Sequence, residues 1–308
     1  MRRYRSAFIA AALVIAPLVA ANAPATAATT SSYYASTPNG AVVKLVVTGS
    51  SVTSHSTVLS KPRHLFVPTT SLGSWIGGLD NQGEITWVWT FNPVTHAFHA
   101  LTQSATSNDS ARSPVLFNNG GNIAYVRLQF RGATTTATVV SRASAGGGSV
   151  RTLMSIPSSW AVNGLQITPD GKTLYLAVID GAHHTSSVYR HSVGHSLNTS
   201  VAPQLATTNG QYVGLTLAPN TKTVAVLRQG GSAKSIVLRP VSSGGITKSI
   251  SYNGAPYYAT WNGAGSQVIF SDSRPSSPPR PLFVATAGTG KVGTITRSNG
   301  YVAPIRVT

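Results

Sequence analysis

The stretch "LQITPDGKTLYLAVID", from Leu165 to Asp180, sets one tight turn between two apolar segments. Pro169 fixes its φ, Asp170 can bond its own backbone two residues on, and Gly171 tolerates positive φ, so the chain reverses there. Each flanking segment is long enough for a strand and too short for a helix. Two such strands cannot cover both of their own faces. A unit of this kind becomes stable only by repeating and stacking.

It does repeat. "LTLAPNTKTVAVL" begins at Leu215, fifty residues after Leu165, and "ATWNGAGSQVIF" follows from Ala259. Upstream, "PVLFNNGGNIAYV" from Pro114 fits the same template, and "STPNGAVVKLVV" from Ser36 and "GGLDNQGEITWVW" from Gly77 are weaker copies. Six turns at neighbouring spacings of about 37 to 51 residues match one four-stranded blade each. Between them the chain is rich in Val, Ile, Thr and Tyr and punctuated by Gly, Asn, Pro and Ser, with no convincing helical period. The fold expected is all-β: a six-bladed β-propeller of four-stranded antiparallel blades, with seven blades as the alternative.

A second repeat bears on closure. Asn-Gly precedes a tyrosine in "NGQY" (209–212), "NGAPY" (253–257) and "NGY" (299–301). Each is read as the link from the outer strand of one blade to the inner strand of the next. The last eight residues, "YVAPIRVT", align with "YVGLTLA" from Tyr212, an inner strand that stops before its turn. The missing turn and strand are assigned to "STPNGAVVKLVV", so that the two chain ends complete one blade and remove the free sheet edges.

"ITPDGKTLYLAV" resembles the SPDG-type signature of TolB-like and other WD-repeat-like propellers, and "LAPNTKTVAVL" is a degenerate copy. The resemblance covers most of residues 36–308 and is sharp at 165–180 and 215–228. It implies a propeller that binds proteins, peptides or glycans. It carries no catalytic residue across, because the motif is structural, and the Trp-Asp pair of true WD repeats is absent.

The first residues read as a secretory leader over 1–27: Arg2, Arg3 and Arg5, an apolar stretch from Ala7 to Ala21, and Ala25-Thr26-Ala27 as the cleavage pattern. The other reading, a membrane anchor, needs roughly 20 apolar residues. Residues 28–308 are then one propeller domain outside the cytoplasm. The 308-residue sequence has no cysteine, so neither a lipid-modified cysteine nor a disulfide is available, and core burial must hold the fold. Its formal charge is +17, or +14 without the three leader arginines, against six acids in all. Such a surface attracts polyanions, with a strength that falls as salt rises. Outside a bacterial-type cell these are anionic wall polymers and lipid headgroups; a specific nucleic acid is not expected.

Motifs for chemistry are sparse. No G-x-S-x-G or H-E-x-x-H occurs. "GTGKVG" from Gly288 matches a dinucleotide fingerprint but lies between two strand-like runs, and is read as a hairpin turn. Asp80, Glu84, Asp170, Asp180 and Asp272 fall at turns or strand ends, where they serve backbone geometry. His183, His184, His191 and His195 are weak metal-ligand candidates, since their spacing puts them at different heights and on both faces of a strand. Trp75, Trp160, Tyr212, Tyr257 and Tyr301 each fall where an inner strand is expected to begin, with Arg112 at the sixth junction and Arg274 and Arg280 in "RPSSPPRP" adding charge. A ring of aromatics and arginines around one channel mouth suits a ligand; wedging between blades is the competing role.

The sequence therefore predicts an exported, monomeric, non-catalytic binding module without cofactor, taking a protein, peptide or glycan at the channel mouth. The alternative is a propeller hydrolase or lyase, which would bring two or more of Asp80, Asp109, His64 and His96 together at that mouth.

Overall fold

The computed structural model describes residues 29–308, apart from 62–63, 83–84, 103–108, 133, 182–184, 196–202, 208–209, 231–234, 243–244 and 275–278. The leader expected over 1–27 lies outside the described residues, as do Glu84, His183 and His184. Blade 1 contains β1 (Thr30–Ser36), β2 (Val42–Thr48) and β3 (Ser51–Leu59). Blade 2 is β4 (Phe66–Leu72), β5 (Trp75–Gln82), β6 (Ile85–Phe91) and β7 (Phe98–Ala100). Blade 3 is β8 (Asp109–Phe117), β9 (Asn122–Arg131), β10 (Thr134–Ala143) and β11 (Arg151–Ile156). Blade 4 is β12 (Trp160–Ile167), β13 (Thr173–Asp180), β14 (Thr185–Ser192) and β15 (Leu205–Thr207). Blade 5 is β16 (Gln211–Leu217), β17 (Thr223–Gln229), β18 (Ser235–Pro240) and β19 (Lys248–Ser251). Blade 6 is β20 (Pro256–Trp261), β21 (Gln267–Asp272), β22 (Phe283–Thr286) and β23 (Val292–Thr294), after which β24 (Val302–Arg306) returns to blade 1.

The sheets are six antiparallel four-stranded units, with no helix among the described residues. The inner strands β4, β8, β12, β16, β20 and β24 each touch the next around a closed circle. This is the six-bladed propeller; the seven-blade alternative is excluded. β24 pairs antiparallel with β1, so the last strand of the chain is the inner strand of the first blade.

What holds the ring is burial on both faces of every blade. Along β13, Leu174, Leu176 and Val178 face blade 3, while Tyr175 and Ala177 face blade 5. That is why "TLYLAVI" reads as an unbroken apolar run and does not alternate with polar residues. Six hydrophobic clusters occupy the six blade boundaries, one at each. Polar bonds stitch the same seams near the axis. Ser36 Oγ donates to the Phe66 carbonyl (2.8 Å), Thr69 Oγ1 to Pro114 (2.9 Å) and Asn163 Nδ2 to Tyr212 (3.2 Å). Gln229 Nε2 donates to the Pro256 carbonyl (2.7 Å), the Asn118 N–H to Pro169 (2.8 Å) and the Arg306 N–H to Thr260 Oγ1 (3.2 Å).

Antiparallel alternation gives the ring two distinct ends. The links between blades and the loops from second to third strands lie on one, here the junction face. The turns from inner to second strands lie on the other, the turn face. Four of the six sequence turns join inner to second strands as expected: 118–121, 168–172, 218–222 and 262–266. The other two do not. "STPNG" joins β1 to β2, and the turn in "LDNQGE" joins β5 to β6, both from second to third strand on the junction face. In blade 2 the inner turn is the short Gly73-Ser74 link, with Leu72 paired to Trp75. In blade 1 there is none, because β24 and β1 are opposite ends of the chain. "GTGKVG" is the β22–β23 hairpin turn.

Replacing the fully buried Leu176 by Ala removes side-chain volume from the seam between blades 3 and 4. The expected cost is about 2–5 kcal/mol of unfolding free energy. Urea denaturation checks it, and a loss below about 1 kcal/mol would contradict the packing described.

Candidate functional site

The inner strands share one irregularity. In each blade the pairing between inner and second strand slips at the same level, so the inner strand carries an additional residue. The bulges fall at Thr69, Ser113-Pro114, Asn163, Val213, Tyr258 and Ala303-Pro304. A bulge re-aims the side chains beside it, and six at one level surround the axis. They line a cavity of about 450 Å³ reached by all six blades. Backbones come close here: a Cβ on Gly164 would stand 3.2 Å from the Gly214 Cα, a tight contact that a larger residue would have to push apart.

Three bulges hold non-glycine residues at positive φ: Ser113 (50°), Tyr258 (41°) and Ala303 (50°). Ser113 and Ala303 also precede prolines, which disfavours helical backbone at those residues. For a bulky Tyr the conformation is an outlier, and such strain persists only where surrounding structure enforces it.

Blades 3 and 6 are opposite each other in a ring of six. Arg112, exposed, stands beside the bulge of blade 3, and Tyr257 with Tyr258 stands at that of blade 6. The two tyrosine rings pack edge-on at 4.2 Å between centroids. Burial, then the adjacent Tyr257 phenol, raises the Tyr258 pKa, so the hydroxyl remains a donor near neutral pH. Among the described residues no hydrogen bond or ion pair holds the Arg112 guanidinium. The bulge residues Thr69 and Asn163 are instead occupied in the seam bonds given above. Among the described residues no Asp, Glu or His lines this cavity. Toward the turn face the channel continues into a smaller space of about 110 Å³, lined by hydroxyls such as Thr70, Ser71 and Thr216, and by Arg306.

The aromatics expected around the mouth separate. Tyr257, 36% exposed, lines the channel. Trp160 starts its inner strand as expected but is buried, stacked on Tyr189 at 4.8 Å. Tyr212 is 1% exposed and fills the seam between blades 4 and 5. Tyr301 is half-buried against the cluster between blades 6 and 1. These three wedge blades together. Trp75 departs from that expectation: it begins a second strand, on the turn face, because the inner turn of blade 2 is Gly73-Ser74 and not the later "LDNQGE". The aromatic that starts that inner strand is Phe66, fully buried against Trp89 and Phe98.

Arg274 and Arg280 lie on the junction face and are drawn to Asp272, at 2.6 and 3.8 Å. Asp272 ends its second strand and accepts from the Ala255 N–H at the blade junction, as Asp80 does from the Leu65 N–H. Asp180 ends β13 at the corresponding place. The Asp80 and Asp272 carboxylates pin inner strands to second strands, a backbone duty. Burial alone would raise the Asp272 pKa, but bonds from Arg274, Tyr252 and the Ala255 backbone outweigh it and bring the group down to about 2. Asp170 accepts from Thr168 Oγ1 and the Lys172 N–H, shaping its turn.

Of the four residues considered for catalysis, His64 and Asp80 do meet, Nδ1 to Oδ2 at 2.6 Å. They do so at the blade 2 junction, and neither lines the channel. Asp109 pairs with Arg127 at 2.8 Å, and His96 lies in the β6–β7 turn on the far face. His191 and His195 come within 6.2 Å between ring centroids. Among the described residues no group of three or more His, Asp and Glu is placed to hold a metal.

No protein-family model matches the chain, and no curated protein matches it in sequence. Solved structures share its fold. A chain of a nidogen/laminin complex aligns at 12% identity with a TM-score of 0.66, over 91% of this chain and 99% of that one. TolB from Acinetobacter baumannii aligns at 14% identity and a TM-score of 0.65, over 90% of this chain and 66% of that one. A putative TolB from Agrobacterium tumefaciens aligns at 14% identity and 0.59, over 89% and 92%. At these identities the likeness is one of fold. The chain shares the propeller architecture of the TolB structures and of the nidogen/laminin chain.

Two outcomes test this geometry. The Asp272 pKa is depressed from 3.8, so its stabilising contribution is complete above about pH 4 and is lost as pH falls through about 2. Asp272→Asn should therefore be less stable than wild type at neutral pH, with the gap closing by about pH 2 in acid unfolding followed by circular dichroism. Ser113→Gly relieves a positive φ and should raise stability by about 0.5–1 kcal/mol; a clear decrease in thermal unfolding would mean the bulge is not strained.

Proposed function

We propose that this chain is an exported binding protein that receives its ligand in the central channel, from the junction face. The leader read at 1–27 would send it out of the cytoplasm, leaving 28–308 as the propeller. The observation that carries the reading is the channel: a space of about 450 Å³ with exposed Arg112 and Tyr257 and, among the described residues, no carboxylate in its wall. Such a volume suits a small ligand or one projecting group of a larger one. The net positive charge favours anionic partners such as wall polymers and steers them toward the molecule. No helix among the described residues is long and apolar enough to cross a membrane. A binding role also suits a site where phenols and a guanidinium are poised as donors and the buried acids serve the backbone. The hydrolase or lyase reading rests on His64 and Asp80, whose place at a blade seam speaks for structure.

The test is retention on purified anionic wall polymer across a salt series. Wild type should bind at low salt and weaken as salt rises, and Tyr257→Ala should bind more weakly at every salt concentration. Identical retention of the two proteins throughout would leave only diffuse charge and remove the channel as the site.

A further inference from the structure

We propose that the channel is a site for a ring compound of about monosaccharide size that carries a carboxylate. The inference rests on the channel being the binding site and names what it takes. Arg112 and the Tyr257–Tyr258 pair stand on opposite blades of the ring, so a ligand between them meets a cation on one side and two phenols on the other. A guanidinium offers a planar fork that matches a carboxylate with two parallel bonds. Arg112 has no carboxylate of the protein to satisfy it among the described residues. The edge-packed tyrosines offer a ring face and hydroxyls, which suit C–H groups and acceptors on a flat or puckered ring.

The six bulges separate into two kinds, which sharpens the assignment. Thr69 and Asn163 have their side chains committed to the neighbouring blade, and Val213, Ala303 and Pro304 bring no polar group. Only the opposed bulges of blades 3 and 6 combine positive φ with polar side chains in the cavity, Ser113 and Tyr258. Strain held at this pair, and not dissipated by a glycine, fits a site whose geometry is fixed before the ligand arrives. The hydroxyl-lined space toward the turn face adds donors and acceptors for substituents that extend past the waist.

The experiment is titration calorimetry of the full propeller with glucuronate and with benzoate, and with glucose as the neutral control, alongside the Arg112→Gln, Arg112→Lys and Tyr257→Ala proteins. At least one acid should bind saturably, with glucose at least tenfold weaker. Arg112→Gln should lose roughly tenfold or more in affinity, Arg112→Lys should recover part of it, and Tyr257→Ala should lose a comparable factor. Preference for glucuronate would identify a sugar acid, and preference for benzoate an aromatic acid. Both residues are exposed and bear no seam contact described above, so unchanged thermal unfolding of the variants separates lost binding from lost fold. No saturable heat from either acid up to about 10 mM, or equal affinity in Arg112→Gln, overturns the proposal. If that happens while polymer retention still depends on Tyr257, the binding reading stands and only this ligand class is wrong.

Discussion

Every blade here is a sheet with two apolar faces, and neither face can be left in water. A β-sandwich solves that problem by pairing two sheets and leaving outer faces polar. This chain cannot, because strands such as β13 are apolar on both sides. Each sheet must be covered twice, so the stack has no end and has to bend into a circle. The pairing of β24 with β1 is where that requirement is met. Closure by strands from the two chain ends also makes blade 1 the seam on which the ring depends, since unpairing β24 would expose both the β1 edge and the clusters on either side.

Closing a ring of six brings the inner strands together at the axis, where there is too little room for all of them to run as regular strands with side chains inward. The bulge at the same level of every inner strand is the local answer. Each shifts the pleat by one residue and changes which side chains face the channel. The close approach of Gly164 to Gly214 and the positive φ of Ser113, Tyr258 and Ala303 are consequences of the same crowding. The cavity is thus a product of the closure, and the residues beside the bulges, with Tyr257 alone of the five junction aromatics among them, determine its chemistry.

That difference explains what was legible in the sequence. The turns 168–172 and 218–222 could be recognised because Pro, Asp, Asn and Gly act locally, within two or three residues, and their strands are strongly apolar. The same local character misled at "STPNG" and "LDNQG": turn chemistry reports that the chain reverses, and not which pair of strands it joins. Trp75 was displaced to the wrong face by that one-strand error. Phe66 was missed because "KPRHLF" lacks the Asn-Gly-Tyr pattern that marks three of the other junctions. The bulges left no common residue type, since Thr, Ser, Asn, Val, Tyr and Ala all occupy them. A usable signal did exist in Asp80, Asp180 and Asp272, which pair with the first residues of their inner strands and so mark the junction end of three blades.

The disposition of these acids also accounts for the field in the channel. Acidic residues are scarce, and among the described residues each aspartate with an assigned bond is engaged close to its own backbone. Asp80 and Asp272 receive junction N–H groups, Asp170 its own turn, and Asp109 the nearby Arg127. A carboxylate held this way neutralises donors at strand ends on the rim and contributes little at the axis. The positive charge is therefore not cancelled where the six inner strands meet. Among the described residues Arg112 has no hydrogen bond or ion pair there, and it stands in a narrow space with low-dielectric walls, where a charge acts more strongly than it would on the open surface. The excess of basic residues, which from composition alone suggests only a diffuse attraction to polyanions, thus includes one member in the channel wall.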